Sequence, residues 1–146
     1  MKNESAYPDR LIEWQFAVMM AAWGCYLLLP MRTFDNPQYA VLATIAPEEI
    51  WGLFAIAIAA VRATAVYING SWRRTPAIRC ACSVLGVIWW LSMTFLVLAA
   101  SQPHPPPAGV IWYPVFVVFE VISCWRSAAD AFHSKAFRLK AGGGRA

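Results

Sequence analysis

Three ionisable side chains interrupt or border the apolar runs of this chain: Glu13, Arg62 and Glu120. Arg62 lies shortly before Asn69 and Glu120 shortly before Arg126, so at ~1.5 Å per residue both fall about 10 Å below the same membrane surface. A charge facing lipid costs about 3 kcal/mol, so we expect Arg62 and Glu120 to face the bundle interior and to pair. Such a pair is either an ion or proton site or, as we favour, a structural ion pair that fixes helix register; an unpaired Arg62 would snorkel to the surface.

Two further charged residues extend this set. Glu13 is shallower in the first apolar run, and Arg79 lies near the inner end of the third. We interpret both as additional members of the intramembrane charge cluster. From Glu120 a polar stripe continues through Ser123, Ser127 and Asp130. A water-filled path would need such stripes on several helices, so we do not expect a wide pore within one subunit.

Catalysis and metal binding are both disfavoured by residue spacing. Cys124, Asp130 and His133 are metal-ligand types, but their spacing scatters them around one helix. Ser127, Asp130 and His133 match a hydrolase triad only in residue type, because one rigid helix holds them apart and provides no oxyanion pocket. We therefore predict no catalytic residue, no metal site, no cofactor and no enzymatic activity.

The four cysteines are expected to be reduced and to pack as small apolar residues. The chain has no Cys-x-x-Cys motif, and Cys80 and Cys82 point to different sides of a helix. Cys25 lies toward the opposite membrane face. Spacing alone thus carries no strong signal for cysteine chemistry.

The composition indicates a membrane protein. Hydrophobic residues make up 60% of the chain, charged residues 14%, and the mean hydropathy is +0.49. A soluble domain of 146 residues with this composition would lack the polar surface to cover itself. The net charge of +4 comes from basic residues that flank apolar runs and form no aromatic-interleaved patch. We assign that charge to membrane orientation and predict no nucleic-acid partner.

The apolar runs predict an all-α polytopic membrane protein, with a single domain over 1–146 and four transmembrane helices in a compact bundle. The helices are expected at about 11–30, 47–68, 76–100 and 109–126, with a cytoplasmic helical tail at 127–141. A short interfacial helix is expected in the first outer loop, at 37–45. That segment is too short to cross a bilayer and too apolar for a solvated loop.

Prolines mark several of the predicted helix ends. Pro47 fits the first turn of the second helix, and the two glutamates after it complement the positive helix start. Asn69-Gly70 ends that helix and Pro76 begins the third, which makes the two a transmembrane hairpin. The proline-rich outer loop is expected to be extended, and Pro114 lies early enough in the fourth run to be a first-turn proline.

The distribution of basic residues predicts the orientation. The chain has 12 lysines and arginines; apart from Arg62, only Arg32 falls outside the segments assigned to the inner side. By the positive-inside rule, both termini are therefore predicted to be cytoplasmic. Most tryptophans lie near predicted helix ends, at the headgroup level, whereas Trp89 and Trp90 lie deep and are expected to pack between helices.

Small residues recur on one side of each of three helices, at the spacing that lets helix backbones approach. They are Ala17, Ala21 and Cys25 in the first helix, Ala55, Ala59 and Ala63 in the second, and Cys82 and Gly86 in the third. These faces favour a compact bundle.

Several motifs taken together resemble a known group of proteins. They are Leu-Leu-Leu-Pro at 27–30, Ala-Pro-Glu-x-x-Trp-Gly from Ala46, Arg62, Asn69-Gly70 with Arg73, Arg74 and Pro76, and Glu120 with Arg126 and Asp130. In this pattern nearly the whole chain resembles small four-helix membrane proteins of phage and prophage genomes. The resemblance implies a four-helix fold and a phage or prophage origin, and it assigns no activity to any residue.

These features suggest a small integral accessory protein of the bacterial inner membrane, acting by helix packing or by contact with a partner. That partner would be a second copy or another membrane protein, within the lipid bilayer. A holin-like lesion former is the first alternative, suggested by the small size, several spans and basic tail. A small ion- or proton-coupled transporter using Glu120 and Arg62 is the second.

Overall fold

The computed structural model describes residues 10–68 and 75–133. Its α-helices are α1 Leu11–Leu27, α2 Ala40–Ile45, α3 Glu48–Tyr67, α4 Thr75–Ser101 and α5 Trp112–His133. Short 3-10 turns at Thr33–Asp35, Pro37–Tyr39 and Ala108–Ile111 join them, and the described residues contain no strand. The predicted all-α class is confirmed.

Three helices within the described ranges are long and apolar enough to cross a membrane. They are Glu48–Tyr67, Thr75–Ser101 and Ala108–His133, the last including the 3-10 turn before α5. At 17 residues, α1 is shorter than these three. The structure therefore provides three candidate spans, and α1 is not among them.

The end of α1 and the start of α3 differ from the predicted bounds. α1 ends at Leu27 and not at residue 30. Pro30 explains this, because its ring disfavours the helical conformation of the residue before it and it has no N–H to donate. Pro47 is the residue before α3, with extended ψ, and not part of its first turn.

The last helix begins later and continues further than the predicted fourth span. α5 starts at Trp112, behind a 3-10 turn, and places Pro114 in its first turn. It continues without a break to His133, so the described part of the predicted tail is the same helix. The rest of that tail, 134–141, and the predicted Asn69-Gly70 turn lie outside the described residues.

α1 packs along α3, and two glycines let the two backbones approach. A Cβ atom on Gly24 would lie 2.7 Å from the Gly52 carbonyl oxygen, and one on Gly52 would lie 2.9 Å from the Gly24 carbonyl oxygen. Ala55 and Ala59 of the predicted small-residue face are buried, whereas Cys25 is exposed. The close contact thus uses Gly24 where the sequence pattern had suggested Cys25.

α4 packs most extensively on α5. The bundle therefore consists of two helix pairs that are consecutive in the chain: the first pair is α1 with α3, and the second is α4 with α5. Aromatic side chains fill the space between the pairs. Trp89 is buried, with Trp51 of α3 edge-on to it at 5.6 Å, and Phe16 of α1 is edge-on to Phe116 of α5 at 6.0 Å between ring centroids. Trp90 is also buried.

The segment between α1 and α3 folds over one end of the bundle and contacts α4. Leu42 of α2 is fully buried, and its carbonyl oxygen accepts a bond from Trp51 Nε1 at 3.3 Å. Glu48 Oε2 accepts the Phe34 backbone N–H at 2.8 Å, which ties the turn to the start of α3. Burial raises the pKa of the Tyr39 phenol, and the neighbouring Tyr113 phenol raises it further. The Tyr39 phenol is therefore harder to ionise than an exposed tyrosine.

Candidate functional site

Arg62 of α3 and Glu120 of α5 form a bidentate ion pair inside the bundle. Arg62 Nη1 lies 2.5 Å from Glu120 Oε1, and Nη2 lies 2.8 Å from Oε2. Their side chains are 1% and 0% exposed. The two parallel N–H···O bonds satisfy both carboxylate oxygens with the planar fork that arginine alone provides.

Polar and aromatic groups complete the surroundings of the Arg62 guanidinium. Ser123 Oγ accepts a bond from Arg62 Nη2 at 3.4 Å and another from Ser83 Oγ at 3.1 Å. Arg62 Cζ also lies over the Phe16 ring of α1, 5.4 Å from its centroid and in cation–π range. All four long helices therefore contribute a side chain to this one site.

Gly86 of α4 provides the space for the Glu120 carboxylate. A Cβ atom on Gly86 would lie 2.5 Å from Glu120 Cδ, well inside the van der Waals distance. The sequence pattern placed Gly86 on a face where helix backbones approach. In the structure the space left by the absent side chain is filled by the Glu120 carboxylate.

We expect Gly86→Ala to lower the free energy of unfolding by about 1 to 3 kcal/mol, because the added methyl group pushes Glu120 away from Arg62. Thermal unfolding of the purified protein in mild detergent measures this. In a Glu120→Ala background the methyl group no longer meets the carboxylate, so there the same change should cost much less. An equal cost in both backgrounds would show that the methyl group disturbs helix packing and not the carboxylate.

A second buried ion pair joins α1 to α4. Arg79 Nε donates to Glu13 Oε2 at 2.6 Å, and Arg79 Nη2 donates to Glu13 Oε1. The side chains are 3% and 5% exposed. Arg79 Nη1 also reaches Asp130 Oδ2 on α5 at 3.2 Å, although the Asp130 side chain is 53% exposed. Water therefore screens the attraction between Asp130 and Arg79 more than the attraction between Glu13 and Arg79.

Both ion pairs run between the two helix pairs and not within them. Arg62–Glu120 joins α3 of the first pair to α5 of the second, and Glu13–Arg79 joins α1 of the first to α4 of the second. In lipid, apolar surfaces alone give helices little drive to associate, so interhelical polar contacts count for more in setting the arrangement. The positions of the two ion pairs therefore suit them to set how the two helix pairs pack against each other.

The predicted cluster residues therefore separate into two sites. Arg62 and Glu120 meet each other, and Glu13 and Arg79, predicted as additional members, meet each other elsewhere in the bundle. The sequence contained no signal for the second partnership, because Glu13 and Arg79 were placed by depth alone. Gly86, Ser83 and Phe16 were also missed as members of the site, since their neutral side chains gave no chemical signal.

The remaining polar groups of α5 engage different partners. Asp130 contacts Arg79, and Cys124 contacts Cys80, so the Cys124, Asp130 and His133 set does not converge. Within residues 10–68 and 75–133, no three acidic, histidine or cysteine side chains are arranged to hold a metal ion. Ser127 Oγ is buried and has no hydrogen-bond partner among the residues that the structure describes.

The chemistry of the site is charge neutralisation. Each buried guanidinium is bound through two nitrogens to both oxygens of one buried carboxylate. Removing either partner of Arg62–Glu120, or Arg79 from Glu13, leaves an uncompensated buried charge. Comparison with known proteins adds no function: no family model, curated protein or solved structure matches the chain. Inference about function therefore rests on these residues and their geometry.

Proposed function

We propose that this chain is a small accessory protein of the bacterial inner membrane that acts through its helix surfaces, by packing or by contact with a partner protein. One observation carries the proposal. Both buried arginines are held bidentately by buried carboxylates that cross between the two helix pairs. Charges used in this way support a fixed bundle, not a path for substrates, and no enzymatic role is proposed.

Four spans with both termini cytoplasmic complete the proposed arrangement. α1 is apolar, packs along α3, and continues into Leu28 and Leu29, which extend its apolar surface beyond the helix end. The basic residues flanking the spans favour the cytoplasm for both termini. α2 would then lie on the outer side at the membrane surface, with Leu42 buried and Ile45 exposed.

Reporter fusions test this topology. Fusions after Ala146 should give a cytoplasmic signal, and fusions within 101–108 should give a periplasmic one. An active periplasmic reporter after Ala146 would contradict the cytoplasmic carboxyl terminus.

α5 belongs to the least buried of the three candidate spans and leaves apolar side chains free for contact with a partner. In its most apolar stretch 17% of the residues are buried, against 39% in those of α3 and α4. Its exposed side chains include Val118, Val121 and Trp125. A partner helix, from a second copy or another membrane protein, would contact α5 on the sides away from Glu120. A phage or prophage origin belongs to the proposal through the motif resemblance alone.

An ion- or proton-coupled transporter is the second candidate, and one observation favours it. The polar stripe of α5 leads from buried Glu120 past Ser123 and Ser127 to the exposed Asp130, and within the described part of the chain the buried Ser127 hydroxyl has no hydrogen-bond partner. Ionisable side chains inside a membrane-spanning bundle, such as Glu120, commonly mark a path for ions or protons.

Reconstitution separates the candidates. Purified protein in vesicles with an internal pH or potential dye should give the same ion and proton leak as empty vesicles. Flux that disappears in Glu120→Gln would favour the transporter. Controlled expression in bacteria should leave the membrane potential intact, whereas its abrupt collapse would favour a holin-like lesion.

A further inference from the structure

Two cysteines meet where α4 packs on α5. Cys80 Sγ lies 3.7 Å from Cys124 Sγ, and both side chains are partly exposed. Cys82 is buried and Cys25 is exposed on α1. A disulfide has an S–S distance of about 2.05 Å, so the two sulfur atoms have to approach each other by about 1.6 Å.

We propose that Cys80 and Cys124 form a reversible redox site, an intramolecular disulfide that links α4 to α5. The oxidant is a low-molecular-weight disulfide. One cysteine thiolate attacks it and releases one small thiol; the other cysteine then attacks the mixed disulfide and releases the second. One S–S bond breaks and one forms, two electrons pass to the small disulfide, and both protons end on the released thiols.

The position of this site connects it to the charge cluster. Cys80 directly follows Arg79, and Cys124 directly follows Ser123. A covalent bond here fixes the register of α5 on α4, which also sets the Ser83–Ser123 and Arg79–Asp130 contacts. Oxidation therefore locks the second helix pair in the arrangement that both ion pairs require.

The resting state of the site depends on its side of the membrane. Cys124 lies two residues before Arg126, at the end that the proposed topology places toward the cytoplasm, where thiols are kept reduced. The pair would then be a dithiol at rest and a disulfide under oxidation. This assignment of side rests on the proposed topology, whereas the contact between the sulfur atoms does not.

Oxidised glutathione provides the test, applied to the purified full-length protein in detergent and followed by intact-mass analysis under denaturing, non-reducing conditions. The wild-type chain should lose the mass of two hydrogens at the pair, and dithiothreitol should restore it. The variant Cys25→Ala/Cys82→Ala retains only Cys80 and Cys124, and it should change from two alkylatable thiols to none without forming a dimer. Adding Cys80→Ser or Cys124→Ser to it should leave one cysteine that accepts a single glutathione.

Three results would overturn the proposal: both thiols staying alkylatable, each cysteine keeping its own glutathione, or a cross-link between chains. A second measurement tests the link between helices. Oxidation should raise the apparent unfolding temperature by about 5 °C or more, and dithiothreitol should reverse the rise. The single-cysteine variants should show no such rise, and a disulfide that forms without one would contradict a lock on α5.

Discussion

Arg62→Leu and Glu120→Leu are each expected to lower the free energy of unfolding by about 3 to 5 kcal/mol, while the double variant should recover much of that loss. Each single change leaves a charge with no partner in a site where both side chains are almost fully buried. The double change leaves apolar side chains in an apolar interior, so the desolvation cost of both charges disappears. The two residues should therefore be strongly non-additive.

Reversible unfolding in mild detergent, followed by helix content, measures all four members of this cycle. Arg32→Leu is the matched control, because Arg32 is exposed in the outer segment and its replacement should change stability by no more than about 0.5 kcal/mol. If the losses from Arg62→Leu and Glu120→Leu simply add, the two side chains do not interact. Arg62 would then be an independent charge that snorkels toward the surface.

Substitutions around the second ion pair should lower the free energy of unfolding more where the replaced side chain is more deeply buried. Arg79→Leu is expected to cost about 3 to 5 kcal/mol, because it leaves the Glu13 carboxylate buried without a partner. Glu13→Leu should cost somewhat less, because Asp130 stays in contact with the Arg79 guanidinium. Asp130→Asn should cost less than about 1 kcal/mol, because the Asp130 side chain is half exposed and its attraction to Arg79 is screened by water.

This series contains its own control. Asp130 and Glu13 contact the same guanidinium, so only their burial and contact geometry separate them. A loss from Asp130→Asn as large as that from Glu13→Leu would show that burial does not set the energetics of the site. The double variant Arg79→Leu/Glu13→Leu should again recover stability, measured by the same unfolding assay.

Depth along a helix can be deduced from a sequence, and that is why the Arg62–Glu120 contact was predictable. Each residue lies at a similar distance from a polar helix end, so their heights in the membrane agree. The cost of an unpaired charge in lipid then favours pairing. The all-α class followed equally directly from the apolar runs.

The angle at which each helix faces its neighbours cannot be deduced in the same way. Glu13 and Arg79 were placed at plausible depths, but nothing in the sequence shows that α1 turns Glu13 toward α4. Cys80 and Cys124 were missed for the same reason, because a contact across α4 and α5 leaves no spacing motif. Helix rotation depends on packing of the whole bundle.

The packing of α1 on α3 shows the same limit at the level of single residues. The pattern Ala17, Ala21 and Cys25 has the spacing of a close helix contact, yet the structure uses Gly24 opposite Gly52. A shift of one residue around a helix rotates the contact by about 100°, so neighbouring small residues are alternatives that spacing alone does not separate. Atomic contact with the partner helix decides between them.

Because of the order of the helices, each ion pair joins the first half of the chain to the second. Both members of the first helix pair precede residue 69, and both members of the second follow residue 74. Within the described residues, each helix pair contains one buried arginine and one buried glutamate. Each of these four charges is bound by a residue of the other helix pair.

The most direct test of the role of the ion pairs is whether the two helix pairs associate when they are made as separate chains. Fragments divided between residues 68 and 75 are co-expressed in membranes, and recovery of the second fragment with a tagged first fragment is measured. Wild-type fragments should co-purify, Arg62→Leu with an unchanged second fragment should reduce recovery strongly, and Arg62→Leu with Glu120→Leu should restore much of it. If the Arg62→Leu fragment recovered as much of the unchanged second fragment as the wild-type first fragment does, the claim that buried ion pairs hold the two helix pairs together would be contradicted.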